Sequence, residues 1–305
     1  MNSSIDHARL NFNNDNLLIL NICLAVVMFG VALGLTITDF KNILKSPKPA
    51  LLGLLSQFII LPLFTFVLIY ITQPGASIAL GMIMVAACPG GNISNFMSQI
   101  AGGNSALSVT LTAFATVLAI FFTPFNLQFW GSLYPPAHEV LREVSISPFD
   151  VFKTIVLILG VPLILGMVVN AFFPRTSAVM SRILKPLSIA FFVGLVAIAF
   201  SKNMDLFTEF IDQVILVVFL HNAVAIFSGY NLGRVAQLSI PDRRTLGIET
   251  GIQNSGLALL LIFSFFDGLG GMAIVAGWWG IWHIVSGLSL AYIWNRKNAL
   301  TPAKV

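Results

Sequence analysis

The sequence predicts an all-α polytopic membrane protein, and three observations carry that prediction. Of 305 residues, 57% are apolar and only 9% are charged, with a mean hydropathy of +0.92. An ordinary soluble domain is about 25% charged. The apolar residues gather into runs of about 20, the length of helix that crosses a hydrocarbon layer of ~30 Å. The runs lack the period-two alternation of an outer-membrane barrel. Together these features exclude soluble domains, a disordered chain and a disulfide scaffold. The net charge of +4 does not point to nucleic acid, because Lys and Arg flank the apolar runs and form no single basic face. Cys23 and Cys88 lie inside such runs, which argues against a disulfide or a metal cluster.

Residues 1–16 form a polar tail with Asp6, Arg9, Asn11, Asn13, Asn14 and Asp15. It lacks the basic start and short apolar run of a cleaved signal, so the first span is expected to direct its own insertion. Nine spans follow, at roughly 17–37, 49–72, 76–101, 104–128, 150–173, 184–201, 212–233, 245–266 and 271–294. Tight turns at Gln73-Pro74-Gly75 and Asp267-Gly268 join two of the pairs. The longest connection, 129–149, reads as an external loop or a short interfacial helix.

The basic residues orient the bundle. Lys41, Lys45, Lys48, Arg175, Arg182, Lys185, Arg234, Arg243, Arg244, Arg296, Lys297 and Lys304 follow odd-numbered spans; Arg9, Arg142, Lys153 and Lys202 lie at the other end. The positive-inside rule then puts the N-terminus outside and the C-terminus in the cytoplasm, as an odd number of spans requires.

Two spans are interrupted. The third contains Pro89-Gly90-Gly91-Asn92-Ile93-Ser94-Asn95, and the eighth contains Glu249-Thr250-Gly251-Ile252-Gln253-Asn254-Ser255-Gly256. Pro89 removes a backbone donor, and Gly90, Gly91 and Gly251 weaken the helix. Freed backbone groups cost several kcal/mol each in lipid, so such breaks persist only inside protein or beside a watery cavity. A kink with glycine packing would explain one break; two breaks, each beside asparagines, favour a binding site. Spans three and eight run in opposite directions, as the related units of an inverted repeat do.

Glu249 is the carboxylate placed well inside a span. Its insertion costs about 2.5–3.5 kcal/mol, so it calls for a cation, a proton or a partner. The neighbouring spans offer uncharged oxygen donors: Gln57, Ser94, Asn95, Ser108, Thr112 and Gln253. Ser108 and Thr112, four apart, share a helix face. Oxygen donors suit a hard cation such as Na⁺, and carbonyls freed at Thr250 and Ile252 would add to the set.

At these residues the chain resembles the bile acid:sodium symporter family. Supporting matches are Leu107-Ser108-Val109-Thr110-Leu111-Thr112, Ser56-Gln57, His221-Asn222 and Trp282-His283. The resemblance implies a transporter and not an enzyme. Its panel domain would comprise 17–37 and 150–201, and its core the spans of 49–128 and 212–294. Tails of 1–16 and 295–305 would lie outside and in the cytoplasm. Spans three and eight would be discontinuous and cross in the core. A first sodium site would use Ser94, Asn95, Ser108, Thr112 and Glu249. A second would use Gln57, Glu249, Gln253 and the carbonyls of Thr250 and Ile252. Gly91, Asn92 and Asn254 would meet an organic anion, a bile acid-like or other carboxylate or sulfonate, at helix N-termini. Na⁺ would be the coupling ion, with no other cofactor. Ten-span members have a helix before the first span seen here, so contacts made by that helix do not carry over.

Rival readings are a proton-coupled or facilitative anion transporter on the same fold, in which Glu249 titrates, and, further off, an intramembrane enzyme or a channel. An enzyme would need a base near His221 or His283, and neither has an acid nearby in sequence. The identity of the anion and the oligomeric state are not encoded legibly.

Overall fold

The computed structural model describes residues 4–10, 14–45, 47–91, 93–144 and 147–299. Their regular elements are all helical. They are α1 (Asn14–Ala32), α2 (Ile37–Lys45), α3 (Pro47–Leu55), α4 (Leu61–Thr72), α5 (Ala76–Ala87), α6 (Ile93–Ile100), α7 (Ser105–Leu133) and α8 (Pro135–Val144). Then come α9 (Pro148–Ile155), α10 (Val161–Phe172), α11 (Pro174–Lys202), α12 (Met204–Val235), α13 (Ile240–Gly251), α14 (Ser255–Phe265) and α15 (Gly270–Ala299). π-helical turns at Ser56–Ile60 and Val156–Gly160 fuse α3 with α4 and α9 with α10 into single rods.

Five rods are long and apolar enough to cross a membrane: Pro47–Thr72, Ser105–Leu133, Phe149–Phe172, Met204–Val235 and Gly270–Arg296. Three shorter apolar helices accompany them, Leu17–Ala32, Ala76–Ala87 and Ser255–Phe265. The last two are halves of the interrupted spans. At 12 and 11 residues they rise only about 16–18 Å, roughly half the layer. The chain is thus an integral, multi-pass membrane protein.

Several helix limits depart from those expected. The span at 17–37 stops at Ala32, where tighter turns take over (Gly34 N–H to Val31 O and Leu35 N–H to Ala32 O, both 3.0 Å). Thr36 then caps a new helix: Asp39 Oδ2 accepts from Thr36 N (2.7 Å), and Thr36 Oγ1 accepts from Asp39 N (3.3 Å). This reciprocal box starts α2. The span at 104–128 continues to Leu133, and those at 184–201 and 212–233 begin at Pro174 and Met204. Hydropathy finds the apolar layer, whereas these helices run on past it through polar turns. The connection 129–149 contains the short helix α8.

Prolines shape the rods as well. Pro62 has no N–H for the carbonyl of Phe58, four residues back. That carbonyl accepts from Asn126 Nδ2 of α7 instead, at 3.0 Å. The ladder relaxes into the π-turn at Ser56–Ile60, which contains Gln57.

Residues 4–10 of the tail expected outside the bundle are fastened to it. Ile5 is completely buried. Asp6 Oδ1 accepts from Ser77 N (2.8 Å) and Ser77 Oγ (2.5 Å), capping the first turn of α5. Leu10 N–H donates to Gly268 O and Gly270 N–H to Ala8 O, both at 2.9 Å, so residues 8–10 pair with the α14–α15 turn. Burial, and then the Asp6 carboxylate, raise the Tyr134 phenol above the ordinary tyrosine range.

The interrupted spans sit at the centre. From Ser77 to Ala87, from Arg244 to Gly251 and from Ser255 to Phe263 every residue is buried. Contacts pair α5 with α14 and α6 with α13, while α12 and α15 flank them. Protein, not lipid, therefore surrounds both breaks, as their exposed backbone demands.

Candidate functional site

The two breaks meet. Gly90 and Gln253 form an antiparallel bridge. Gly91 N–H donates to Ile252 O at 2.6 Å, and Asn254 N–H donates to Pro89 O at 2.9 Å. Two unwound stretches thus satisfy each other, as short strands would. The helix ends on either side are closed by neighbours. The last carbonyl of α5, Ala87 O, accepts from Thr123 Oγ1 of α7 at 2.7 Å. The last carbonyl of α13, Gly251 O, accepts from Asn222 Nδ2 of α12 at 2.7 Å. Ser286 Oγ donates in turn to Asn222 Oδ1 at 2.6 Å. Asn254 caps α14 through its side chain, accepting from Leu257 N at 3.0 Å. Almost every buried backbone group at the breaks therefore has a partner.

Glu249 lies at the heart of this crossover with no exposed surface. Ser94 Oγ donates to its Oε1 at 2.6 Å, and Ser108 Oγ donates to the same oxygen. Thr112 Oγ1 approaches Oε2 at 3.3 Å. Asn95 Oδ1 accepts from Ser108 Oγ at 2.8 Å and from Thr112 Oγ1 at 3.3 Å. All five residues proposed for the first cation site are thus brought together, from α6, α7 and α13. Arg244, a turn and a half away on α13, does not neutralise the carboxylate. Its guanidinium donates to Ala101 O at 2.9 Å and sits 5.8 Å from the Trp294 ring centre.

The second group lies on the other side of the carboxylate. A methyl built on Gly90 would stand 3.2 Å from Glu249 O, 3.2 Å from Glu249 Oε2 and 3.4 Å from Gln57 Nε2. Gln57 is therefore across a narrow gap from Glu249. Gln253 Nε2 donates to Thr250 O at 2.8 Å, and Ile252 O is taken by Gly91. Of the six buried side-chain polar atoms without a partner among the described residues, two lie here, Gln57 Nε2 and Gln253 Oε1. A buried amide oxygen without a donor can ligate a hard cation. Rotating the Gln57 amide would present its oxygen to the same gap, at the loss of the long bond from Gly90 N–H (3.4 Å).

Asn92 lies outside the described residues, and Gly91 and Asn254 lie within the crossover. His221 and His283 are buried in the bundle. His221 Nε2 and Thr65 Oγ1 are hydrogen-bonded at 2.7 Å, and the His221 ring packs 4.8 Å from that of Trp279. Sequence reasoning missed Thr123 and the carbonyl-holding role of Asn222. It also missed Thr245, whose hydroxyl ties Ser98 (2.9 Å) and the backbone of Asn104 (2.8 Å) to α13. For Thr123 and Asn222 the available signal is a polar residue in the middle of an apolar helix; Thr245 follows Asp242-Arg243-Arg244 and carries no such signal.

Comparison with known proteins shows the family of the chain. The chain is 32% identical over 278 residues to the Bacillus subtilis "Uncharacterized sodium-dependent transporter YocS", covering 91% of this chain and 83% of that one. It is 31% identical over 222 residues to the mouse "P3 protein", covering 73% of this chain and 46% of that one. It is 28% identical over 274 residues to the Arabidopsis thaliana "Probable sodium/metabolite cotransporter BASS1, chloroplastic", covering 90% of this chain and 66% of that one. The chain therefore spans most of the bacterial relative but less than half of P3 and about two thirds of BASS1. The profile described as "Sodium Bile acid symporter family" matches residues 21–210, well over half of the sequence, and the chain belongs to that family of membrane transporters.

Proposed function

We propose that this chain is a sodium-coupled symporter that carries an organic anion by alternating access. One observation carries the reading: a fully buried carboxylate, Glu249, among the oxygens of Ser94, Asn95, Ser108 and Thr112 where two broken helices cross. Hydroxyl hydrogens can rotate away, so these donors become ligands once a hard cation arrives. Gln57, Gln253 and nearby carbonyls form a second oxygen-rich group sharing Glu249, consistent with a second Na⁺. In the proposal, Na⁺ offsets the carboxylate and draws α3, α6, α7 and α13 together. The anion then binds beside the crossover near Gly91, Asn92 and Asn254, where α6 and α14 begin. A helix N-terminus favours negative charge, which supports a carboxylate or sulfonate substrate.

Panel helices in 17–37 and 150–201 would rock against a core built from 49–128 and 212–294, opening the site to each side in turn. Two Na⁺ with a monovalent anion move one net positive charge. A potential of 100 mV, inside negative, then drives uptake by about 2.3 kcal/mol. The basic end of the bundle is assigned to the cytoplasm on the positive-inside rule.

The test uses the full chain in proteoliposomes with radiolabelled bile acids, steroid sulfonates and short carboxylates as probes. A sodium gradient should drive accumulation of at least one probe. Glu249→Ala should abolish it while leaving insertion and monodispersity unchanged. Wild-type rates in that variant refute the cation role. Accumulation driven by a proton gradient without sodium favours the proton-coupled reading.

A further inference from the structure

A second site lies apart from the crossover, at the basic end of the bundle. α1 and α10 touch closely at one point: a methyl on Gly166 would stand 2.5 Å from Ala32 Cβ and 2.9 Å from Phe29 O. Beyond that contact the two rods part, because α1 stops at Ala32 while α10 runs on to Phe172. The parting leaves a cavity of about 680 Å³ between the α1–α2 corner and α10. Its walls include Leu35, Ile37, Ile164, Val168, Ala171 and Pro174.

Two polar side chains line it, and both are already engaged. Asn170 Nδ2 donates to Leu35 O at 2.9 Å, and Thr36 Oγ1 donates to Asp39 Oδ2 at 2.8 Å. The walls therefore accept hydrocarbon. Ile37, Ile164 and Val168 are exposed toward the side from which hydrocarbon would come. The rim differs. Arg175 follows Pro174 directly, Lys41 stands one helical turn beyond Ile37, and both are exposed. Asp39, the nearby acid, is turned onto the start of its own helix, where it caps Thr36.

We propose that this groove holds one acyl chain of an anionic phospholipid whose phosphate is met by Lys41 and Arg175. The argument is charge complementarity between an apolar slot and a basic rim in a protein whose surroundings are lipid. Basic side chains beside a gap between membrane helices select anionic headgroups in this way. Neither residue belongs to the crossover, so the lipid site stands or falls apart from the ion chemistry.

The full chain, purified in mild detergent, is offered phosphatidylglycerol, phosphatidylcholine or free oleate and observed by native mass spectrometry. The wild type should retain one phosphatidylglycerol in preference to phosphatidylcholine and to oleate. Each of Lys41→Gln and Arg175→Gln should lower that preference about fivefold, the size expected for one basic residue near a lipid surface. Ala171→Trp should fill the groove and remove the retained lipid altogether, and an unchanged melting temperature in the same detergent shows that it folds. Equal retention of the two phospholipids, or full phosphatidylglycerol retention in all three variants, overturns the proposal. So does loss of a dimer with Ala171→Trp, which would give the groove to a second copy of the chain.

Discussion

Gly90→Ala tests the ion site without removing a single ligand. The new methyl lies 3.2 Å from Glu249 O and from Glu249 Oε2, and 3.4 Å from Gln57 Nε2. These contacts are tight, and the neighbours must yield by a few tenths of an ångström. The backbone angle at Gly90 is not in the left-handed region, so alanine can adopt it. Overpacking costs about 1–3 kcal/mol, and the lost freedom of the unfolded chain returns about 0.4–1 kcal/mol. The fold should therefore survive. Two of the three displaced groups, however, are side chains proposed to hold sodium, the Glu249 carboxylate and the Gln57 amide. A loss of about 1.4–2.8 kcal/mol in ion binding raises the half-saturating sodium concentration about tenfold to a hundredfold. The assay is the melting temperature of detergent-purified protein titrated with NaCl against KCl, since a ligand that binds only the folded form raises stability with its concentration.

Gly91→Ala is the control. Its methyl would meet backbone, Gln253 O at 3.1 Å and Ile252 O at 3.6 Å, and no proposed side-chain ligand; Ile252 O is a proposed carbonyl ligand, but it is at ordinary contact distance and already held by Gly91 N–H. It should lower stability more than Gly90→Ala does and shift the sodium midpoint less. An unchanged midpoint in Gly90→Ala, alongside a cooperative melt, refutes the placement of the ion beside Gln57 and Glu249.

Other outcomes follow from the same geometry. Ser108→Ala combined with Thr112→Val strips two oxygens from the first group. It should raise the sodium concentration needed for half-maximal uptake at least about tenfold, at about 1.4 kcal/mol per decade; an unchanged sodium curve counts against that site. Asp6→Ala removes the acceptor for Ser77 N and Oγ. Loss of such a cap costs about 0.5–2 kcal/mol. Amide hydrogen exchange at Leu10 and Gly270, whose bonds hold the strap to the α14–α15 turn, should quicken several-fold; unchanged protection there would show that the strap holds without Asp6.

What could be read from the chain, and what could not, divides along a physical line. Glu249 was legible because an acid in an apolar run needs a local reason. The breaks were legible because Pro89 with Gly90 and Gly91, and Gly251 beside Gln253 and Asn254, weaken two spans at once, each beside asparagines. Ser108 and Thr112 came out together because a four-residue spacing puts them on one helix face, whereas their grouping with Ser94 and Asn95 was implied by the resemblance to the symporter family. Thr123 and the role of Asn222 were not legible. A lone Thr or Asn in a membrane helix reads equally well as packing, and its partner is a carbonyl freed on a different helix. The strap was missed for a similar reason. Its polar composition suggests an external tail and says nothing of contacts, while Asp6 finds Ser77 across 71 residues of chain. Helix limits slipped where α11 and α12 run past the apolar layer, since hydropathy reports the layer and hydrogen bonding sets the helix.

The bonding at the crossover also constrains how such a molecule can move. Gly91–Ile252 and Asn254–Pro89 join the breaks backbone to backbone, while Thr123 and Asn222 hold the adjoining helix ends. Pulling the stretches apart would orphan several buried backbone groups at once, each worth about 1–3 kcal/mol. The crossover is therefore expected to travel as one body with α7 and α12, and in the proposed alternating access that body would move, with the rest of the core, against the panel helices. The side chains at its edge are under no such constraint. Gln57 approaches Gly90 N only at 3.4 Å, and Gln253 Oε1 has no partner among the described residues. A cation arriving there would gain from atoms that have little to lose. It would join α3, which carries Gln57 on its π-turn, to α13, which carries Glu249, and so stiffen the body that has to move.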